Sequence, residues 1–154
     1  ASKPNKQDAA RDQGADLVID YTKNDFEDII KQHYPSGIRC VFDGIGKKTF
    51  LKGLSCLQKK GTMVLYGNAG GEHPDPIAPT LLTKCGSLTL MRPALYDYIE
   101  TQMAFQNRLA GGFELYKKGD INLKNLTITS LKKASAIHEA LLSRQVVGKS
   151  LLQI

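Results

Sequence analysis

The residues best placed to do chemistry form a glycine-rich loop that directly follows a short apolar stretch. The apolar stretch spans residues 62–66, and the loop 67–71 carries one polar side chain, Asn68. Ligands of open α/β sheets bind beyond the carboxyl ends of the strands, and a carboxamide both donates and accepts hydrogen bonds. The pattern predicts one wall of a cofactor cleft. The same residue types are also common in ordinary turns, which is the competing interpretation.

Charge and composition narrow the kind of ligand. The 154 residues carry a formal net charge of +6, which favours an anionic ligand such as a phosphorylated cofactor. The lysines are spread along the chain without an aromatic-basic patch, so no nucleic-acid partner is predicted. No apolar run approaches a membrane span, and the start lacks a signal peptide's apolar segment. We therefore expect no membrane partner, and the cysteines described next favour a cytoplasmic protein.

Sulfur and imidazole groups give no sign of a metal site. Cys40, Cys56 and Cys85 form no CxxC pair, and two of them lie in apolar runs, which is typical of reduced, buried thiols. None of the three histidines, His33, His73 and His138, has a carboxylate or a nucleophile at a sequence spacing that would indicate a catalytic pair. They are expected to be surface or helix-packing residues, and no metal ligand is predicted.

Alternating elements must position the loop. Strands are predicted at 17–19, 39–42, 62–66 and 87–91. One helix is predicted to end at residue 13, before the first strand, and two more are predicted between successive strands, at 26–30 and 49–57. This order predicts an α/β fold with a parallel sheet. Further helices are expected at 96–118 and 131–144, and further strands at 126–129 and 150–154. Gly111 and Gly112 are expected to weaken or bend the first of these helices.

One part of a dinucleotide fold is missing from the sequence. Such a fold opens with a strand and a Gly-x-Gly-x-x-Gly turn that holds the pyrophosphate. Neither precedes the helix that contains Pro4. The pattern predicts a partial Rossmann-like, doubly wound parallel sheet that lacks its first strand-turn-helix.

Several motifs in order resemble one family. Residues 14–21, 41–46, 54–57, 61–70, 86–95 and 143–154 together resemble the C-terminal half of the quinone oxidoreductase (zeta-crystallin-like) branch of the medium-chain dehydrogenase/reductase superfamily. The most specific motifs are Tyr66-Gly67-Asn68-Ala69-Gly70, Arg92-Pro93-Ala94-Leu95 and the ending that runs from Ser143-Arg144 to Gly148-Lys149.

This resemblance implies a division of the chain and an activity. Residues 1–118 would form an incomplete NADP-binding Rossmann domain, and residues 119–154 a C-terminal segment of the GroES-like catalytic domain. The full-length parent would be a zinc-independent enzyme that transfers hydride from NADPH to quinones or α,β-unsaturated carbonyls, with this half alone inactive. The alternative is a non-catalytic α/β binding or structural module without the pyrophosphate turn.

The resemblance also implies where the adenosine end of NADPH binds. A lysine at the position of Lys6 meets the 2′-phosphate, and Ser2 could donate a hydrogen bond to the same phosphate. A cation beside the ribose favours the phosphorylated cofactor. Tyr21 packs by the adenosine. A solvated lysine and a boundary tyrosine with a wet hydroxyl are the structural alternatives.

The nicotinamide half is implied to meet the strand ends. Gly44 has no side chain and would let the cofactor approach closely. The strand at 87–91 is implied to pair with its copy in a homodimer. No catalytic acid or base is assigned. Arg92 and Arg144, which the resemblance places beside the cofactor, could instead form surface salt bridges. The resemblance places these further residues beside this half of the cofactor: Tyr66, Gly67, Asn68, Ala69, Arg92, Pro93 and Arg144.

Overall fold

The chain forms two compact units. The computed structural model describes residues 3–143 and 145–154, so the predicted site residues Ser2 and Arg144 lie outside the described residues. The sheet unit comprises Tyr21–Phe105, and the terminal unit joins Ala1–Asp20 to Gln106–Ile154. These units divide the chain elsewhere than the predicted boundary at residue 118, and the domain assignment built on that boundary stays a prediction.

Helices and strands alternate along the described residues. The helices are α1 (Pro4–Asp12), α2 (Phe26–His33), α3 (Phe50–Ser55), α4 (Thr80–Lys84), α5 (Leu95–Tyr98), α6 (Gln102–Lys118) and α7 (Ala134–Leu142), the last preceded by a 3-10 turn at Leu131–Lys133. The strands are β1 (Ile38–Asp43), β2 (Leu57–Leu65), β3 (Thr89–Met91), β4 (Leu126–Ser130) and β5 (Lys149–Gln153).

The sheet unit contains a parallel sheet in the order β1-β2-β3. Val41 pairs with Met63, and Met63 pairs with Leu90, so the three strands end at one edge. Parallel neighbours need a crossover connection, which α3 and α4 supply between successive strands. The predicted parallel α/β fold is confirmed.

The hydrophobic core lies against β2. Met63 is fully buried, and Phe50 and Leu54, which lie four residues apart, bring one face of α3 onto it. Alternate positions along the end of β2 are buried, as expected of a strand with one face toward the core. The remaining buried members of this cluster are Leu57, Leu65 and Leu88. The core therefore fixes the strand whose end carries the predicted loop.

Local sequence signals set two of the helix boundaries. Pro4 opens α1, where its missing N–H is not needed, and Gly14 follows its end with φ of +93°. The Asp25 carboxylate accepts a hydrogen bond from the Glu27 backbone N–H at 3.0 Å and so caps α2.

Several elements differ from the sequence prediction. No strand is present at 17–20, because a strand requires a ladder with a neighbour and the described sheet begins with β1. The helix predicted at 49–57 ends at Ser55, and Leu57 instead begins β2. Ser87 has φ of +59°, a left-handed conformation that a ladder position does not allow, so β3 begins at Thr89.

The terminal unit contains a second parallel pair. β4 and β5 are in register from Leu126 with Lys149 to Ser130 with Gln153, and α7 lies between them in the chain. The helix predicted at 96–118 consists of α5 and α6, and α6 continues through Gly111 and Gly112. None of the described side chains of this unit is buried.

Among the described residues, no helix combines the length and the apolar character that crossing a bilayer requires.

Candidate functional site at the carboxyl edge of the sheet

The turn after β1 is held by a buried carboxylate. Asp43 is 5% exposed, and its Oδ1 accepts hydrogen bonds from the backbone N–H of Ile45 at 2.7 Å and of Gly46 at 3.2 Å. The Thr49 hydroxyl donates to the same carboxylate, 2.9 Å from Oδ1 and 2.8 Å from Oδ2. A carboxylate that accepts several hydrogen bonds compensates for its burial. Asp43 therefore fixes the turn at the end of β1.

Sequence reasoning had assigned no role to Asp43 or to Thr49. The signal that could have found them is an Asp directly after a strand, with a glycine next and a threonine six positions on. A side chain of this type bonds the backbone two residues ahead in an Asx turn, as the Asp43 to Ile45 contact does.

The turn after β2 is bonded to the turn after β1. The ladder between the strands continues past their ends, because Tyr66 N–H donates to the Asp43 carbonyl at 2.9 Å. Ala69 N–H then donates to the Gly44 carbonyl at 2.8 Å. Gly70 N–H donates to the Ile45 carbonyl at 2.9 Å. The two turns thus form one backbone-bonded surface at the edge of the sheet.

Glycine is required where these turns touch. A Cβ added to Gly67 would lie 2.9 Å from the Gly44 carbonyl oxygen, and one added to Gly70 would lie 2.8 Å from the Ile45 carbonyl oxygen. Real Cβ atoms do not approach backbone oxygens so closely, and backbone cannot give way as a flexible side chain does. The Gly-rich composition of this loop follows from the close approach of two chain segments.

Gly44 is covered by an aromatic ring. A Cβ on Gly44 would lie 2.8 Å from the Tyr66 hydroxyl oxygen and 2.9 Å from its Cζ. The Tyr66 side chain is itself 58% exposed, so its ring lies over the turn and faces solvent. The absence of a side chain at Gly44 therefore serves the packing of Tyr66, and the predicted close approach of a cofactor there stays a prediction.

Asn68 and Arg92 meet at this edge. The Arg92 Nη1 donates to the Leu65 carbonyl at 2.7 Å, which attaches the residue following β3 to the end of β2. The Asn68 amide, oriented by its hydrogen-bond partners, accepts from Arg92 Nη2 at 3.1 Å and from His73 Nδ1 at 2.8 Å, and it donates to the Gly67 carbonyl at 2.9 Å. The predicted pair lies together, and His73 joins it.

His73 was expected to be a surface or packing histidine. It is exposed, but its ring nitrogen bonds the one polar side chain of the loop. A histidine five residues after Asn68 on an irregular segment carries no spacing signal, so only the tertiary structure reveals this contact.

Lys47 is paired with carboxylates at this edge, whereas Arg92 bonds uncharged acceptors. Lys47, which follows the first turn, lies 3.2 Å from Glu72 and 3.4 Å from Asp75. Hydrogen bonding to the Glu72 carboxylate, with the Asp75 charge beside it, raises the pKa of Lys47 above its usual range. The Arg92 guanidinium instead bonds two neutral acceptors. The arrangement leaves a cation and an amide suited to an anionic or oxygen-rich ligand.

The other predicted residues are distributed over both units. Pro93 is half-buried beside Arg92, Ala69 is exposed on the loop, and Tyr21 is 40% exposed at the start of the sheet unit. In the terminal unit, Lys6 lines a cleft of about 460 Å³. Other residues that line this cleft are Gln13, Asn122, Asn125, Val147 and Lys149.

Cys56 is a buried thiol. Burial raises the pKa of the Cys56 thiol, which keeps that buried residue protonated and unreactive. Among residues 3–143 and 145–154, no three His, Cys, Asp or Glu side chains are grouped so that they could hold a metal ion. What the edge of the sheet offers is binding and orientation.

The comparison with known sequences decides the family. Residues 1–110 match the family described as zinc-binding dehydrogenase. The chain belongs to this family. Zinc independence of the parent protein stays a prediction.

Curated relatives identify the branch. The chain is 34% identical over 153 residues to a quinone oxidoreductase of Salmonella typhimurium, a match that covers 96% of the chain and 46% of the relative. It is 31% identical over 153 residues to a 2-haloacrylate reductase of a Burkholderia species, covering 98% of the chain and 46% of the relative. The predicted resemblance to quinone oxidoreductases over about half of their length is confirmed.

Solved structures share the fold. The Escherichia coli quinone oxidoreductase, solved in complex with NADPH, matches with a TM-score of 0.84 and 31% identity over 99% of this chain and 48% of that one. A 2-haloacrylate reductase structure matches with a TM-score of 0.84 and 30% identity, with the same coverage. The chain therefore has the α/β fold of about half of these oxidoreductases.

Proposed function

We propose that this chain is the nucleotide-binding half of an NADPH-dependent oxidoreductase that reduces quinones or other α,β-unsaturated carbonyl compounds. The observation that carries the proposal is the meeting of Asn68, Arg92 and two glycine turns at the carboxyl edge of a parallel sheet. This is where open α/β sheets bind ligands. The E. coli relative with this fold was solved with NADPH.

The donor set at this edge fits the cofactor. Arg92 and the Asn68 amide supply hydrogen-bond donors, and NADPH presents phosphate, hydroxyl and carboxamide oxygens. The nicotinamide supplies the hydride when it is bound. The chain's own residues bind and orient. We place Tyr66, Gly67, Asn68 and Ala69 over the nicotinamide half, with Gly44, Arg92, Pro93 and Arg144.

The adenosine end is proposed to lie at Lys6, Ser2 and Tyr21. Lys6 is half-buried and lines a cleft. A cation beside the ribose favours a 2′-phosphate over a hydroxyl. In the full-length protein, Lys6→Glu should lower the preference for NADPH over NADH by at least about tenfold, since one attractive charge becomes repulsive. The ratio of kcat/KM for the two cofactors measures this.

A matched control separates charge from position. Lys118→Glu makes the same charge change at the end of α6, outside the proposed site, and should leave the cofactor ratio unchanged. An unchanged ratio in Lys6→Glu would remove Lys6 from the site.

The substrate proposal names two classes of compound that accept hydride. Quinones and 2-haloacrylate both contain a carbon–carbon double bond conjugated to a carbonyl group, and both appear in the names of relatives that match nearly the whole chain. Hydride addition to such a double bond leaves an anion that takes up a proton from water, and the residues at this edge contribute binding and orientation. The full-length product of the gene should oxidise NADPH when supplied with a quinone or an enone. A full-length product that binds NADPH to no measurable extent would favour the non-catalytic module.

The half of the relatives that this chain does not match is proposed to cover the terminal unit. The chain spans about half the length of its curated relatives, and apolar side chains such as Leu142 (85% exposed) and Ile128 (61%) lie on its surface. Burying apolar surface of this kind stabilises a folded protein. We propose that residues 119–154 belong to the catalytic domain and that 1–118 form the incomplete cofactor domain.

A homodimer in the cytoplasm completes the proposal. β3 is an outer strand of the described sheet, and an unpaired strand edge is a template for a second copy. Light scattering should report a dimer through β3. A strict monomer at high concentration would contradict it.

A further inference from the structure

The Asn68 amide has nearly all of its hydrogen-bonding capacity in use. A carboxamide oxygen accepts two hydrogen bonds and its nitrogen donates two. The Asn68 oxygen accepts from Arg92 Nη2 at 3.1 Å and from His73 Nδ1 at 2.8 Å, and the nitrogen donates one hydrogen to the Gly67 carbonyl at 2.9 Å. These contacts leave a single N–H of Asn68 for a ligand.

Two of the three partners admit only one orientation of the amide. Arg92 only donates and the Gly67 carbonyl only accepts. Turning the amide over would place its NH₂ group against the guanidinium and its oxygen against the carbonyl, so both contacts would become repulsive. His73 is the partner that can act either way, because a neutral imidazole carries its proton on one nitrogen or the other. With the proton on Nδ1, His73 supports the orientation that the other two require.

The neighbours of His73 attach its segment to Lys47. Its neighbour Glu72 is bonded to Lys47 through both side chain and backbone, with Nζ 3.2 Å from the carboxylate and Lys47 N–H 3.5 Å from the Glu72 carbonyl. Asp75, two residues further on, also lies 3.4 Å from Lys47. Residues on both sides of His73 therefore bond Lys47, which follows the turn after β1.

We propose that His73 is a positioning residue, whose Nδ1–H fixes the Asn68 amide so that Asn68 offers the cofactor one N–H donor and no acceptor. This rests on the proposed function of the edge as an NADPH site. The group of the cofactor that meets Asn68 must then be an acceptor, namely a ribose hydroxyl oxygen or the carboxamide carbonyl of the nicotinamide half. Without the histidine, the amide oxygen loses one of its two donors and the amide turns more freely.

The first test needs no ligand. In nuclear magnetic resonance spectra of the chain, with the His73 ring in its neutral form, the ring ¹⁵N shifts should show the proton on Nδ1. His73→Leu removes the donor, whereas His73→Asn places an N–H near the position of Nδ1. The Asn68 side-chain amide signals should move in His73→Leu and stay close to their original positions in His73→Asn. A neutral ring protonated on Nε2, or Asn68 signals unmoved in His73→Leu, would overturn the proposal.

The second test uses NADPH and the full-length product of the gene. His73→Leu should weaken NADPH binding by about two- to twelvefold, the range of one intramolecular hydrogen bond, and His73→Asn should restore it. In an Asn68→Ala background, His73→Leu should have no further effect, because the histidine acts only through the amide. An equal loss in both backgrounds would show a general structural role and refute the proposal. Should the parent protein bind no NADPH, the proposed function fails, while the ring measurement still decides the role of His73.

Discussion

Replacement of Asp43 tests whether the buried carboxylate organises the edge of the sheet. The carboxylate accepts bonds from Ile45 N–H, Gly46 N–H and the Thr49 hydroxyl, and the residue is 5% exposed. Each hydrogen bond to a charged group contributes about 1.5–3 kcal/mol. The Gly46 bond is long at 3.2 Å, so we count two strong bonds, about 3–6 kcal/mol in total.

Desolvation of the carboxylate offsets part of that total. Burying a charge costs several kcal/mol that the hydrogen bonds must offset, so we expect Asp43→Ala to lower the free energy of unfolding by about 3 kcal/mol. Asp43→Asn retains an oxygen for the two backbone donors, and its NH₂ group faces a hydroxyl that accepts as well as donates. We expect it to cost about 1 kcal/mol.

Urea unfolding of the chain, followed by circular dichroism, measures these differences. Thr49→Val serves as the matched probe, since it removes one donor and keeps the shape of the side chain. Combined with Asp43→Ala it should add less than its separate effect, because both variants break the same bond. Equal destabilisation by the Asn and Ala variants, or a loss below about 1 kcal/mol for Asp43→Ala, would refute this account of the turn.

Three further expectations follow from the packing and charges of the sheet unit. Met63 is fully buried, so Met63→Ala should lower the free energy of unfolding by about 2–5 kcal/mol, and a loss within about 0.5 kcal/mol would contradict the burial. Gly67→Ala places a Cβ 2.9 Å from a backbone oxygen, whereas Gly44→Ala meets the far end of the Tyr66 ring. Thermal unfolding should therefore show a lower midpoint for Gly67→Ala than for Gly44→Ala, and the reverse order would be evidence against the bonded turns. Hydrogen bonding to Lys52, and then to the Glu27 backbone, holds the pKa of Asp25 below its ordinary 3.8. Because the folded pKa is the lower one, this stability is present above 3.8 and is lost as the pH falls through the folded value. The Asp25 carboxylate in turn raises the pKa of Lys52 above 10.5, so the contribution of Lys52 is lost as the pH rises through that raised value. Unfolding measured against pH should show flatter acid and alkaline limbs in Lys52→Met, and identical limbs would contradict the pairing.

The sequence predicted the elements that bear the site because their signals are local. Apolar runs located β1 and β2, and the loop 67–71 marked a strand end. Each of these signals depends on the conformational preferences of neighbouring residues. The same information could not decide whether 17–19 is a strand, since a strand also needs a neighbour to bond with.

Contacts between distant residues came only from the tertiary structure. Arg92 bonds the Leu65 carbonyl because the parallel register of β2 and β3 brings the two strand ends together, although 27 residues separate them. His73 reaches Asn68 from an irregular segment whose course no periodicity describes.

The amino-acid sequence by itself determined the family, the parallel strands and the presence of a polar loop at a strand end, because motif order and local conformational preference are written in consecutive residues. Only the tertiary structure decided which groups face one another at that edge, that Tyr66 covers Gly44 and that Asp43 anchors the turn. Those contacts depend on the register and spacing of separate strands, and this geometry exists only once the core around Met63 has formed.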